Sequence, residues 1–264
     1  MYYLISGLKC VSFIDSLIIN CEIEMNMLVL GATGATGRHL TNFLIDSGHL
    51  ITIVIRSPEK LPAAVKDASN VKVVKGTVLK MNDEALDQLL NNCDVVFSCL
   101  GHNLTLKGMY GHPRKLVTDT ALRIVKFFAD NKRETPVKYV LMNTTGNVNK
   151  LAGEKVSLME RIVVSIIRVL VPPHVDNEKA AEVFSKDVGG NSDDIEWVAV
   201  RPDSLIDAKV VTEYSLFQSP QRSAIFNSGK TSRINVAHFM KELGTNDKLW
   251  GKWKGQMPVI YNND

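Results

Sequence analysis

Short apolar runs and segments with apolar residues every three or four positions alternate along most of this chain. The first run is Met27-Leu28-Val29-Leu30, and the second is Ile51-Thr52-Ile53-Val54-Ile55. Further runs lie at 71–74, 93–100, 137–142 and 195–200. They are continuous and β-branched rather than alternating, as in strands covered on both faces. Between them, Leu40, Phe43 and Leu44 mark one helix. A second runs from an Asn82 cap through Leu90, with Asp83 and Glu84 in its first turn. Others are expected at 114–131, 154–169 and 176–186, the last two separated by Pro172-Pro173. This order predicts an α/β fold, a doubly wound parallel sheet with right-handed crossovers. Past Asp207 the pattern loosens into a helix at 234–243 and a strand at 256–261. A small C-terminal lobe, about 208–264, is expected over the carboxyl ends of the strands, where such sheets bind ligands.

The first strand and helix are joined by Gly31-Ala32-Thr33-Gly34-Ala35-Thr36-Gly37, followed by Arg38. Glycines at three-residue intervals let a phosphate approach the backbone at a helix N-terminus, where the dipole and unpaired N–H groups favour an anion. Gly37 would also let helix and strand pack closely. The context, an apolar run before and a helical pattern after, is what a dinucleotide-binding turn requires. An NAD-preferring site of this kind closes its second strand with Asp or Glu. Here that strand ends in Arg56-Ser57, and a guanidinium beside a hydroxyl suits a 2′-phosphate. Arg38 adds a second positive charge. NADP(H) is therefore the expected cofactor, with NAD(H) as the alternative.

Composition narrows the class. A net charge of +3 over 264 residues gives no basis for nucleic-acid binding. Cys10, Cys21, Cys93 and Cys99 have no C-x-x-C spacing, so free thiols and a cytoplasmic location are expected. No cluster has metal-ligand spacing, and no metal is expected. Residues 1–24 read as an N-terminal extension without a basic n-region, and Asp15 interrupts their apolar run. The longest apolar stretches fall well short of the ~20 residues a spanning helix needs, so no membrane role is expected. The apolar segment 158–171, broken by Glu160-Arg161 and Arg168, reads as a helix packed on the sheet, with a pocket wall, subunit interface or membrane contact as alternatives. The chain is expected to act on a small molecule as a monomer or homodimer.

Several motifs resemble one family. The glycine turn, Arg56-Ser57, Leu100-Gly101 and Arg201-Pro202-Asp203-Ser204-Leu205-Ile206-Asp207 are similar to those of atypical short-chain dehydrogenases/reductases. The resemblance is closest to the NmrA-like and flavin reductase/biliverdin reductase B-like members. Ser232-Arg233-Ile234-Asn235-Val236-Ala237 is similar to their I-S-R-x-D-V-A segment, and the likeness covers about residues 26–245. It implies a Rossmann domain over 25–264, with Thr33 to Gly37 holding the pyrophosphate and Arg56 with Ser57 the 2′-phosphate. Thr77-Val78 would flank the adenine, although Thr77 replaces the family's usual Asp, and Leu100-Gly101 would lie along the ribose.

Catalysis departs from the superfamily. Its Tyr-x-x-x-Lys pair uses a lysine to lower the pKa of a proton-exchanging phenol. Aligning Lys179 with that lysine puts Val175 at the tyrosine position, and no other tyrosine has a lysine four residues later. Thr144 and Thr145 stand where the usual serine would. Hydride transfer to a flavin- or tetrapyrrole-like conjugated acceptor does not need the phenol. The resemblance thus implies such a reductase, with Thr144, Thr145 and Lys179 as candidate catalytic residues. The alternative is a non-catalytic NmrA-like redox sensor. His102 and His174 are candidate proton donors, though a packed histidine is the commoner fate of each.

Overall fold

The structure is a computed structural model that describes residues 24–102, 105, 110–190 and 192–263. The expected N-terminal extension lies outside these residues apart from Glu24. Strand β1 (Asn26–Leu30) leads into α1 (Gly37–Asp46), then β2 (Leu50–Ile55), the short α2 (Ala63–Lys66) and β3 (Val71–Lys75). Helix α3 (Asp83–Leu90), β4 (Val95–Ser98), α4 (Leu116–Asp130) and β5 (Val137–Met142) follow. Next come α5 (Leu158–Leu170), α6 (Pro172–Glu182), a π-helical turn (Val183–Val188) and β6 (Ile195–Pro202). The chain ends with β7 (Ser204–Ile206), β8 (Tyr214–Phe217), β9 (Lys230–Ser232), α7 (Arg233–Thr245), α8 (Asp247–Trp253) and β10 (Val259–Asn262).

The main sheet has the order β3-β2-β1-β4-β5-β6-β10-β8. All neighbours are parallel except β10 and β8, which run antiparallel at the edge. The order reverses at β1: Leu30 pairs with Val54 on one side and with Ser98 on the other. That reversal opens a crevice between the carboxyl ends of β1 and β4, the usual ligand position in such sheets.

Side-chain alternation in the strands builds two cores. Met27 and Val29 face one layer with Leu40, Leu44, Phe239, Met240, Trp250 and Trp253, so α1, α7 and α8 cover that face. Leu28 and Leu30 face the other with Leu90, Ile124, Phe128, Tyr139, Phe184 and Trp197, under α3, α4 and α6. Burial on both faces explains the uninterrupted apolar runs. Asn82 caps α3 by accepting from the Ala85 N–H at 3.0 Å. Within residues 208–264, β8 and β10 extend the main sheet, and α7 packs beside α1 within the first core. Among the described residues, β7 and β9 form a separate parallel pair.

Candidate functional site

The turn after β1 is shaped by backbone crowding. Gly31 has φ +78°, and a Cβ there would lie 2.5 Å from the Cys99 carbonyl oxygen. A Cβ on Gly37 would lie 2.1 Å from the Gly31 oxygen, and one on Gly34 would lie 3.1 Å from it. Both outer glycines are therefore required by the fold, which brings the start of α1 onto the end of β1. The Gly34 N–H donates to Gly31 O at 2.9 Å, and Arg38 N–H donates to Gly34 O at 3.0 Å. Among the described residues, the N–H groups of Ala35, Thr36 and Gly37 have no acceptor. The Thr36 side chain does not cap α1, and no acidic residue stands in its first turn. Thr33, Gly34, Ala35 and Arg38 are exposed around this open positive end, while Thr36 and Gly37 are buried beneath it. The cradle fits a dinucleotide pyrophosphate.

The neighbouring strand ends supply the rest of the rim. Arg56, just after β2, is exposed and makes no hydrogen bond or ion pair among the described residues; Ser57 beside it is half-buried. The Gly76 N–H donates to Ile55 O at 2.8 Å, which holds the end of β3 against that of β2. Thr77 is half-buried, while Val78 is buried and its carbonyl accepts from Arg123 Nη1 at 2.8 Å. Leu100 and Gly101 follow β4, and among the described residues beyond its chain neighbours no atom lies within 4 Å of a Cβ built on Gly101.

A second polar set sits past the end of β5. Thr144 and Thr145 are adjacent, but their hydroxyls separate. Thr144 Oγ1 accepts from the Gly146 N–H at 3.2 Å, whereas Thr145 Oγ1 donates to the buried Asp203 at 3.2 Å. Burial pushes the Asp203 carboxyl above its ordinary value. Asn143 Nδ2 donates to Asn177 O at 2.9 Å, tying this turn to α6. On that helix His174 and Glu178 share one face, with Nε2 3.6 Å from Glu178 Oε1. That is ion-pair distance rather than a hydrogen bond, and Nε2 is otherwise buried without a partner. The ring's other edge lies along Gly146, where a Cβ would meet Cε1 at 3.2 Å and Nδ1 at 3.7 Å. Arg168 of α5 grips Glu178 through Nε at 2.8 Å and Nη2 at 2.7 Å. Burial would raise the Glu178 carboxyl, but His174 and Arg168 outweigh it and hold it down at about 2. Lys179 is exposed and its side chain has no partner among the described residues.

His102 has a different role. Its Nε2 lies 2.8 Å from Asp176 Oδ2 inside the protein. The same carboxylate accepts from the Val117 and Thr118 N–H groups at 2.9 and 3.0 Å, so it caps α4. The Arg201-Pro202 motif is likewise internal. Arg201 is fully buried and donates to Glu154 through both terminal nitrogens, and to the carbonyls of Met257, Asn147 and Gln218. Glu178 was not among the sequence candidates, although the four-residue spacing from His174 signals a shared helical face. Of the expected free thiols, Cys93 and Cys99 are free and burial pushes both to about 12, while Cys10 and Cys21 lie outside the described residues. No helix among the described residues is long and apolar enough to cross a membrane.

A doubly wound sheet with an open glycine cradle at its switch point defines the class of nucleotide-cofactor-binding α/β proteins. Residues 31–247 match the NAD(P)H-binding family model, and the chain belongs to that family. A short-chain dehydrogenase/reductase (wide type) from Veillonella parvula, solved in complex with NADP, superposes with a TM-score of 0.64 at 18% identity, over 91% of this chain and 95% of that one. ChuY, an anaerobillin reductase from Escherichia coli O157:H7, gives 0.59 at 16% identity over 91% and 98%. These likenesses show the shared fold. A 122-residue segment is 34% identical to the Arabidopsis thaliana protein named "Probable pinoresinol-lariciresinol reductase 3". The match covers 44% of this chain and only 34% of that protein's length.

Proposed function

We propose that this chain is an NADPH-dependent reductase of a conjugated small molecule, flavin- or tetrapyrrole-like, that works without a catalytic tyrosine. The reading rests on two features past the carboxyl ends of the strands. One is an open cradle flanked by Arg38 and Arg56 after β1 and β2. The other is a carboxylate–imidazole pair on α6 beside the turn after β5, next to Val175, the position that the resemblance aligns with the superfamily's phenol. The bound nicotinamide supplies the hydride. Thr33 to Gly37 would hold the pyrophosphate through the open N–H groups, and Arg56 with Ser57 and Arg38 would hold the 2′-phosphate. Thr77, Val78, Leu100 and Gly101 would line the adenosine.

The chain's own acid–base chemistry centres on His174. Glu178, kept charged, faces Nε2 at 3.6 Å and holds the ring in place. Nδ1 then faces the Thr144–Gly146 turn and can exchange a proton there. Thr144 and Lys179 remain candidates for orienting substrate, while Thr145 acts through Asp203. The anaerobillin reductase activity of ChuY supports a tetrapyrrole-type acceptor. A second reading, an NADP(H) redox sensor, is favoured by the exposed apolar face of α5.

Calorimetric titration with NADPH and NADH, on the wild type and Arg56→Asp, tests the cofactor assignment. Loss of a charge-assisted contact to phosphate costs about 1.5–3 kcal/mol, so NADPH should weaken about 10- to 100-fold while NADH changes little. Cofactor-saturated protein is then assayed with flavins, quinones and linear tetrapyrroles. Binding without turnover of any acceptor overturns the reductase in favour of the sensor, and no binding overturns both.

A further inference from the structure

Helix α5 is well formed yet buries none of its residues. Ser157 and Glu160 close a capping box at its start, and Arg168 anchors its end to Glu178. Leu158, Met159, Ile162, Ile166, Val169 and Leu170 are between 49% and 78% exposed. Leu158, Ile162, Ile166, Val169 and Leu170, with Arg161 and Ser165, line one shallow concavity. An apolar patch of this extent, on the order of 600 Å², is at the upper limit for a monomer and marks an interaction surface.

The order of residues along the helix identifies what covers it. Counting outward from Val164, Ile162 stands opposite Ile166, Met159 opposite Val169, and Leu158 opposite Leu170. Glu160 and Arg168 lie on the other face of the helix, where Ser223 and Glu178 hold them. The apolar stripe therefore reads alike in both directions. This is the self-complementarity that a two-fold interface requires, where residue i meets j and j meets i. We propose that two copies of this chain pair through α5, antiparallel about a two-fold axis beside Val164 and Ser165.

In that arrangement Ile162 packs on the partner's Ile166, and the small Ser165 lets the helices approach at the centre. A membrane surface is the weaker occupant. Interfacial helices carry several basic residues on the polar face, whereas α5 carries two, Arg161 and Arg168, and Arg168 is already paired with Glu178. The patch approaches the ~800 Å² per partner of a standard interface, so neighbouring loops must contribute only a modest remainder.

The test uses the full chain. Sedimentation equilibrium of the wild type should give twice the 29.3 kDa chain mass, and Ile162→Glu/Ile166→Glu should give the chain mass with an unchanged circular dichroism spectrum. Ser165→Cys provides a readout that does not depend on a charged substitution. Under mild oxidation it should cross-link to its own copy, whereas Leu158→Cys should not, because antiparallel pairing puts the two Leu158 positions about 18 Å apart along the helices. Lys252→Cys, exposed on α8, serves as the background control. A monomeric wild type, a dimer that survives the double glutamate variant, or efficient self-linking of Leu158→Cys would each overturn the proposal. So would α5-dependent binding to anionic phospholipid vesicles by a monomeric wild type.

Discussion

Glu154→Ala removes the charged partner that, among the described residues, alone faces a completely enclosed guanidinium. Arg201 directs its N–H groups at five acceptor atoms: both oxygens of Glu154 and the carbonyls of Met257, Asn147 and Gln218. Glu154 Oε2 also accepts from the Asn149 N–H at 2.7 Å, so the carboxylate joins the loop after β5 to the end of β6. Without the carboxylate the cation is buried and unpaired, which costs about 3–5 kcal/mol. At roughly 2–4 °C per kcal/mol for a chain near this size, the melting temperature should fall by about 6–20 °C. Arg201→Met alone should cost less, because it removes the charge instead of stranding it, though three carbonyls then lose a donor. In the double variant Arg201→Met/Glu154→Ala the two losses should not add, with a coupling of about 2–3 kcal/mol. Urea unfolding of all four proteins, followed by circular dichroism, measures each term. The reasoning is refuted if Glu154→Ala costs under about 1 kcal/mol or if the two substitutions are additive.

Two further outcomes follow from the site. Gly37→Ala places a methyl against backbone that cannot move aside, so it should lower the melting temperature and weaken NADPH at least tenfold, while Gly101→Ala, facing open space, leaves stability unchanged. Equal melting temperatures for the two variants would show that the turn can relax. Glu178, held at about 2, supplies stability that is fully present above about pH 4.5 and disappears as pH falls towards 2. The stability gap between wild type and Glu178→Gln should therefore close across that window; a gap that stays constant with pH would mean that packing, not charge, explains Glu178.

The parallel sheet was legible because its central strands are covered on both faces, which leaves each one an unbroken apolar run between glycine and polar breaks. The last third was harder for the opposite reason. Strand β8 is half-buried at every position on an antiparallel edge, and β7 and β9 are only three residues long, so neither alternation nor continuity sets them apart. Helix α8 begins at an Asn246 cap whose Oδ1 accepts from the Leu249 N–H at 3.0 Å, a signal available in the sequence but masked by the adjacent helix α7.

The candidate site divides along the same physical line. Its cradle depends on local backbone geometry, and glycine spacing reports such geometry directly: Gly31 and Gly37 stand where any Cβ would strike a carbonyl. The second polar set depends on tertiary approach. Thr144 and Thr145 look equivalent in sequence, but successive residues at a strand end point to opposite sides, so one hydroxyl caps the turn and the other reaches Asp203. Arg201 shows the limit most clearly. As a motif it marks the family resemblance, yet its acceptors come from residues 147, 154, 218 and 257, and no local pattern assembles them. Its role is to lock the loop after β5 against the end of β6, which fixes where that loop, and with it the Thr144–Gly146 turn facing His174, can stand.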